Sequence, residues 1–101
     1  MNKKEYLLTC LSEECAEIQQ AVSKALRFGL DNYDPKDSFI NEAAIRWELN
    51  DLQAVKEMLV EEGILKAETN KESEYVRQCK KDKVKLFMNT SVDCGTLTLD
   101  K

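Results

Sequence analysis

Residues 12–29, "SEECAEIQQAVSKALRFG", repeat apolar side chains at helical spacing and place acids at the edge of the face that would be buried. Laid out at about 100° per residue, Leu7, Leu8, Leu11, Cys15, Ile18, Val22, Ala25 and Leu26 fall within an arc of roughly 100°. Glu14 lies just beside that arc and Glu17 further along the same flank, with Cys10, Ala21 and Phe28. This pattern predicts a long amphipathic helix over about residues 4–28, stopped by Gly29, with two carboxylates edging the core.

The next helix carries the sharper anomaly. Ile40, Ala44, Ile45, Trp47, Leu52, Val55, Met58 and Leu59 cover roughly 180° of a wheel, and Glu48 and Asp51 lie inside that arc with apolar neighbours on both sides. The helix is expected over about 39–62, capped by Ser38 after the loop "LDNYDPKDS" and ended at Gly63. A third helix is expected over about 71–88, with Thr69 or Asn70 as cap. Residues 89–101 alternate weakly and read as a short strand or an ordered tail. The whole, 1–101, reads as one small all-α domain: an antiparallel helical bundle with no repeat or low-complexity segment.

Composition narrows the chemistry. At 101 residues, 43% hydrophobic and 34% charged, the chain buries little apolar surface by itself, so completion of a four-helix core by oligomerisation is expected. The net charge of -4 and pI of about 4.9 disfavour nucleic-acid polymers and anionic membranes as partners. No stretch has the length of a membrane span, and the apolar run near the N-terminus is too short for a signal peptide, so an intracellular, cytoplasmic location is expected. Cys10, Cys15, Cys79 and Cys94 have no CxxC spacing, and the chain has no histidine. A structural zinc site and Ser-His-Asp or Cys-His catalysis are therefore disfavoured, and reduced, mostly buried thiols are expected. Carboxylates, lysines and metal ions are left to carry any catalysis.

An unpaired ionised carboxylate in a low-dielectric interior costs several kcal/mol or takes up a proton. Glu14 and Glu17 are three residues apart, as are Glu48 and Asp51, so each pair projects from adjacent turns. Two such helices packed face to face bring four acids into one pocket, where repulsion is relieved by a cation; Mg2+ is the common hard ion that oxygen ligands suit. The bland alternative pairs these acids with Lys24, Arg27, Arg46 or Lys56, or leaves them at a solvated edge. ExxE alone is frequent in helices; ExxE on one helix with ExxD inside the apolar arc of the next is much less so.

At these residues the chain resembles the MazG-like, all-alpha nucleoside triphosphate pyrophosphatases, which include dimeric dUTPases and dCTP pyrophosphatases. Their signature is EExxE followed, after a loop, by ExxD on the next helix. "EECAE" supplies Glu13, Glu14 and Glu17, and "ELND" supplies Glu48 and Asp51. The resemblance covers roughly residues 5–62, and "SKALRFG" looks like the small, often phage-borne members, for which the setting would be a host cytoplasm. One departure is the 30 residues between Glu17 and Glu48, at or slightly beyond the upper end of the family's usual spacing.

The resemblance implies Glu14, Glu17, Glu48 and Asp51 as catalytic Mg2+ ligands, with Mn2+ able to substitute. It implies hydrolysis of an NTP or dNTP between the alpha and beta phosphates, and a homodimer or homotetramer. Glu13 points away from the others on the wheel and reads as a surface or supporting residue. Lys24 and Arg27 could reach phosphate, or simply form a basic helix terminus. Asn41 could donate to sugar or base, or stabilise the first turn of its helix. Phe28, Tyr33, Phe39 and Trp47 are candidates for base stacking, although Trp47 also fits the core. The run "RQCKKDKVK" reads as a solvated face, with a phosphate contact to a neighbouring subunit as the minority reading. The competing functions are a noncatalytic helical module that binds nucleotide or protein, and the same chemistry on a signalling or modified nucleotide.

Overall fold

The computed structural model describes residues 1–33, 35–36 and 38–99, and among these it is all-helical, with no strand. Helix α1 runs Lys3–Phe28, α2 Asn41–Glu61 and α3 Asn70–Asp93. The chain forms two compact units, Met1–Lys66 and Ala67–Lys101.

The first unit is an antiparallel hairpin of α1 and α2. Asn2 caps α1, its Oδ1 accepting from the Glu5 N–H at 2.8 Å. Gly29 ends the helix at φ 97°, a conformation that other residues rarely adopt. Lys3 at the start of α1 pairs with Glu62 just past the end of α2 at 2.7 Å, as antiparallel helices require.

The start of α2 differs from the expected cap. The helix opens at Asn41 rather than Phe39, and Ser38 does not cap it. The loop backbone substitutes: the Asn32 carbonyl accepts from Asn41 N–H at 2.8 Å, and the Leu30 carbonyl accepts from Glu42 N–H at 3.0 Å. Asn41, 2% exposed, donates its side-chain amide to the Gly29 carbonyl at 2.9 Å and so ties the end of one helix to the start of the next. Asn41→Ala should lower the stability of this unit by about 1 kcal/mol, because the Gly29 carbonyl loses the shorter of its two hydrogen bonds and keeps that from Asn32 N–H at 3.3 Å; urea unfolding followed by circular dichroism measures it. At the other end, Gly63 has φ 73°, and Gly63 and Ile64 N–H donate to the Val60 and Leu59 carbonyls at 2.9 Å each, a Schellman closure.

The buried face of α1 is rotated from the one that bulk hydrophobicity suggests. Leu7, Ala21 and Ala25 are buried, with Leu11, Glu14, Ile18 and Phe28 partly so, giving a seam that steps by four and three residues. Leu8, Cys15, Val22 and Leu26 lie outside it, Leu26 being 83% exposed. The facing seam of α2 is Asn41, Ile45, Glu48, Leu52, Val55 and Leu59, with Leu59 fully buried. Two helices in contact bury a narrow stripe, and small side chains such as Ala21 and Ala25 allow the close approach that bulky ones would prevent. Trp47, assigned to the apolar arc from sequence, is 47% exposed for the same reason. Glu14 therefore stands in the seam rather than beside it.

The second unit is built on α3. Thr69 caps it, accepting from Glu72 N–H at 3.1 Å, and no residue of the helix is buried. It extends to Asp93, five residues past the expected end, so 89–93 are helix rather than strand or tail. No proline or glycine intervenes before Gly95, whose φ of 78° turns the chain and lets Thr96 and Leu97 N–H reach the Ser91 carbonyl. All four cysteines are free; Cys10 is partly buried, but Cys15, Cys79 and Cys94 are exposed, contrary to the expected burial. No helix among the described residues is long and apolar enough to cross a membrane.

Candidate metal centre

The middle of the hairpin seam carries charge where the residues on either side are apolar. Along α1 the seam reads Leu7, Leu11, Glu14, Ile18, and along α2 Ile45, Glu48, Leu52. Glu17 and Asp51 follow one turn later on their helices, at the exposed margin of the same contact. The antiparallel packing brings the two pairs together: one carboxylate oxygen from each of Glu14, Glu17, Glu48 and Asp51 lies within 4.8 Å of the others.

Two of these acids have an unmet need. Oε2 of Glu14 and Oε2 of Glu48 are shielded from water and have no hydrogen-bond partner among the described residues. Burial raises the Glu14 carboxyl above the ordinary value of 4.5, with Glu17 and Asp51 adding to the shift. Burial also raises Glu48, helped by Glu17, Asp51 and Glu14. Two of the cations that might have paired with the group are engaged elsewhere: Arg46 pairs with Glu42 at 2.5 Å, lowering the Glu42 carboxyl, and the Arg27 guanidinium lies over the Phe28 ring, 4.8 Å from its centre. Four converging carboxylates, two with buried unpartnered oxygens, make a donor set that a hard divalent cation fits. The cluster could hold a metal ion.

A cleft of about 300 Å3 opens beside the acids, lined by Glu17, Gln20, Ala21, Lys24, Phe39, Ala44 and Glu48. Lys24 is thus brought to the site. Arg27 lines a shallow depression on α1 with Ala16, Gln19, Gln20, Ser23 and Lys24 instead. Asn41 is not at the cleft surface, its amide being bound to Gly29. Trp47 stands behind the wall, edge-on to Phe39 with ring centres 4.9 Å apart and planes at 63°. Tyr33 is 56% exposed, and Phe28 is partly buried at the end of α1. Gln20 also lines the cleft, and its one signal in the sequence is its place three residues after Glu17 on the same flank of α1.

Compared with protein-family models, curated proteins and solved structures, the chain matches none.

Proposed function

We propose that the protein is a Mg2+-dependent nucleoside triphosphate pyrophosphohydrolase of the MazG-like, all-alpha kind, with Mn2+ able to replace Mg2+. The observation that carries this reading is the convergence of Glu14, Glu17, Glu48 and Asp51 within 4.8 Å, two of them with buried oxygens lacking a partner. Those four acids are the ones the EExxE and ExxD resemblance implies. Glu14, Glu17, Glu48 and Asp51 would hold a divalent cation, which would neutralise phosphate charge and lower the pKa of water. The chain's own part is to hold the four carboxylates in register from two facing helices and to place the triphosphate against them. A carboxylate oxygen outside the coordination accepts the proton of the attacking water. The water oxygen bonds to one phosphorus of the alpha-beta anhydride, the bond from that phosphorus to the bridging oxygen breaks, and the products are a nucleoside monophosphate and pyrophosphate. Lys24, at the rim of the cleft, adds a positive charge toward the bound nucleotide.

The test is a panel of NTPs, dNTPs and signalling nucleotides with Mg2+, read out as both pyrophosphate and monophosphate. Equal release of the two from at least one nucleotide supports the reading. Metal-dependent nucleotide binding with no turnover supports a noncatalytic binding module instead. Turnover confined to a signalling nucleotide keeps the chemistry and moves the substrate.

The assembly belongs to the same proposal. Leu8, Val22 and Leu26 are exposed on α1, and Tyr75, Val76, Leu86 and Phe87 on α3, a helix with no buried residue. A 24-residue helix gains little stability without a packed face. A homodimer or homotetramer that completes a four-helix core would cover such surfaces. Light scattering should give a mass of at least twice 11.6 kDa at micromolar concentration, and dilution below the dissociation constant should reduce activity. A fully active 11.6 kDa monomer would overturn the assembly.

A further inference from the structure

Holding a cation requires the four acids and nothing more, yet the cleft beside them continues along the hairpin toward its connecting loop. Ala21 is buried and Ala44 partly so, giving the cleft a small-residue base. Phe39 forms part of its wall with 37% of its surface exposed, and Trp47 braces that ring edge-on. Trp47 is also the residue before Glu48, so the aromatic pair and the carboxylate cluster are fixed to each other by one turn of α2. Along the facing edge of α1, Glu17, Gln20 and Lys24 follow at successive turns, which places an amide between a carboxylate and an ammonium group.

The charge of this cleft decides which part of a nucleotide it suits. Its charged lining is two acids, Glu17 and Glu48, against one cation, Lys24, so away from a bound metal ion it is a poor host for polyphosphate. A neutral planar ring tolerates these acids and gains from the Phe39 face. The Gln20 amide has a donor and an acceptor side by side, the pattern that reads a base edge through two hydrogen bonds.

We infer that this cleft is the base subsite, in which a heterocycle lies against Phe39 and presents an edge with adjacent donor and acceptor to Gln20. Gln20 and Phe39 are then the residues that set which nucleoside triphosphate is preferred. This rests on the proposed pyrophosphohydrolase reading, and the two can fail separately.

The experiment combines kcat/KM for the four NTPs and four dNTPs with the fluorescence of Trp47, the chain's one tryptophan, titrated with nucleoside monophosphates. Gln20 is exposed, so Gln20→Ala should fold; it should lower kcat/KM for the preferred base by about 10- to 100-fold and level the preference among bases. Phe39→Ala should raise KM more than it lowers kcat and remove the Trp47 response to monophosphates. Inorganic tripolyphosphate with Mg2+, followed by calorimetry, should bind both variants as it binds the wild type. Active variants with an unaltered base preference overturn the inference and leave the reaction standing. A Trp47 response that Phe39→Ala abolishes, in a protein that hydrolyses no nucleotide, supports the subsite and overturns the reaction. Neither response nor hydrolysis overturns both.

Discussion

Glu48→Gln is expected to lower Mg2+-dependent hydrolysis by more than about a hundredfold while leaving the hairpin folded. Glu48 stands at a seam position between Ile45 and Leu52, and its Oε2 is buried without a partner. The amide nearly matches the carboxylate in shape, so no cavity forms. Its loss of charge removes a ligand and relieves the repulsion that, after burial, raises this group's pKa. Activity and metal-free stability should therefore move in opposite directions: turnover falls, whereas Tm without metal holds or rises by a few degrees. A substitution that merely damaged the fold would lower both. Thermal melts in chelator, paired with pyrophosphate release in Mg2+, separate these cases, and unchanged Mg2+-dependent hydrolysis would remove the proposed site.

The same residue shows why part of this arrangement is legible in sequence and part is not. Glu48 and Asp51 stand out because acids inside an apolar arc violate helical patterning, and three-residue spacing brings each pair onto adjacent turns whatever the partner helix does. Glu14 reads only as a flanking acid, because the centre of an apolar arc follows the largest side chains. Leu8, Val22 and Leu26 pull that centre away from Ala21 and Ala25, which the close helix contact buries. Bulk says which side chains prefer to leave water; the partner decides which of them do so. Trp47 is misplaced into the core by the same bias, and its exposed position beside Phe39 depends on a loop whose path no periodicity describes. The loop also explains the missing Ser38 cap: the carbonyls of Leu30 and Asn32, well before it in sequence, receive the first N–H groups of α2. At α3 the end is set by Gly95, and the polar stretch before it continues the helix because nothing there forbids the conformation.

The second large effect is a stability that depends on metal and pH together. Glu14 and Glu48 both have folded-state carboxyls raised above the ordinary 4.5, with burial as the leading cause for each. For such groups the favourable contribution is fully present below about pH 4.5 and is lost as pH rises through the raised values, because the folded state then holds ionised acids that the unfolded chain solvates better. Without metal, the difference in Tm between wild type and Glu48→Gln should therefore grow more negative from mildly acidic to neutral pH, since the amide does not titrate. A cation reverses the sign: it binds the ionised cluster of the folded chain, so its stabilisation grows over the same interval. At a hundredfold excess of Mg2+ over Kd the gain is about 2.7 kcal/mol, and bound nucleotide should add to it. Differential scanning fluorimetry of both proteins at several pH values, in chelator and in Mg2+, measures all four arms. The wild-type curves with and without Mg2+ should diverge as pH rises, whereas those of Glu48→Gln should stay close together. Wild-type curves indifferent to millimolar Mg2+ at every pH, with and without nucleotide, would show that the four carboxylates hold no cation, and the proposed hydrolase would lose its chemical basis.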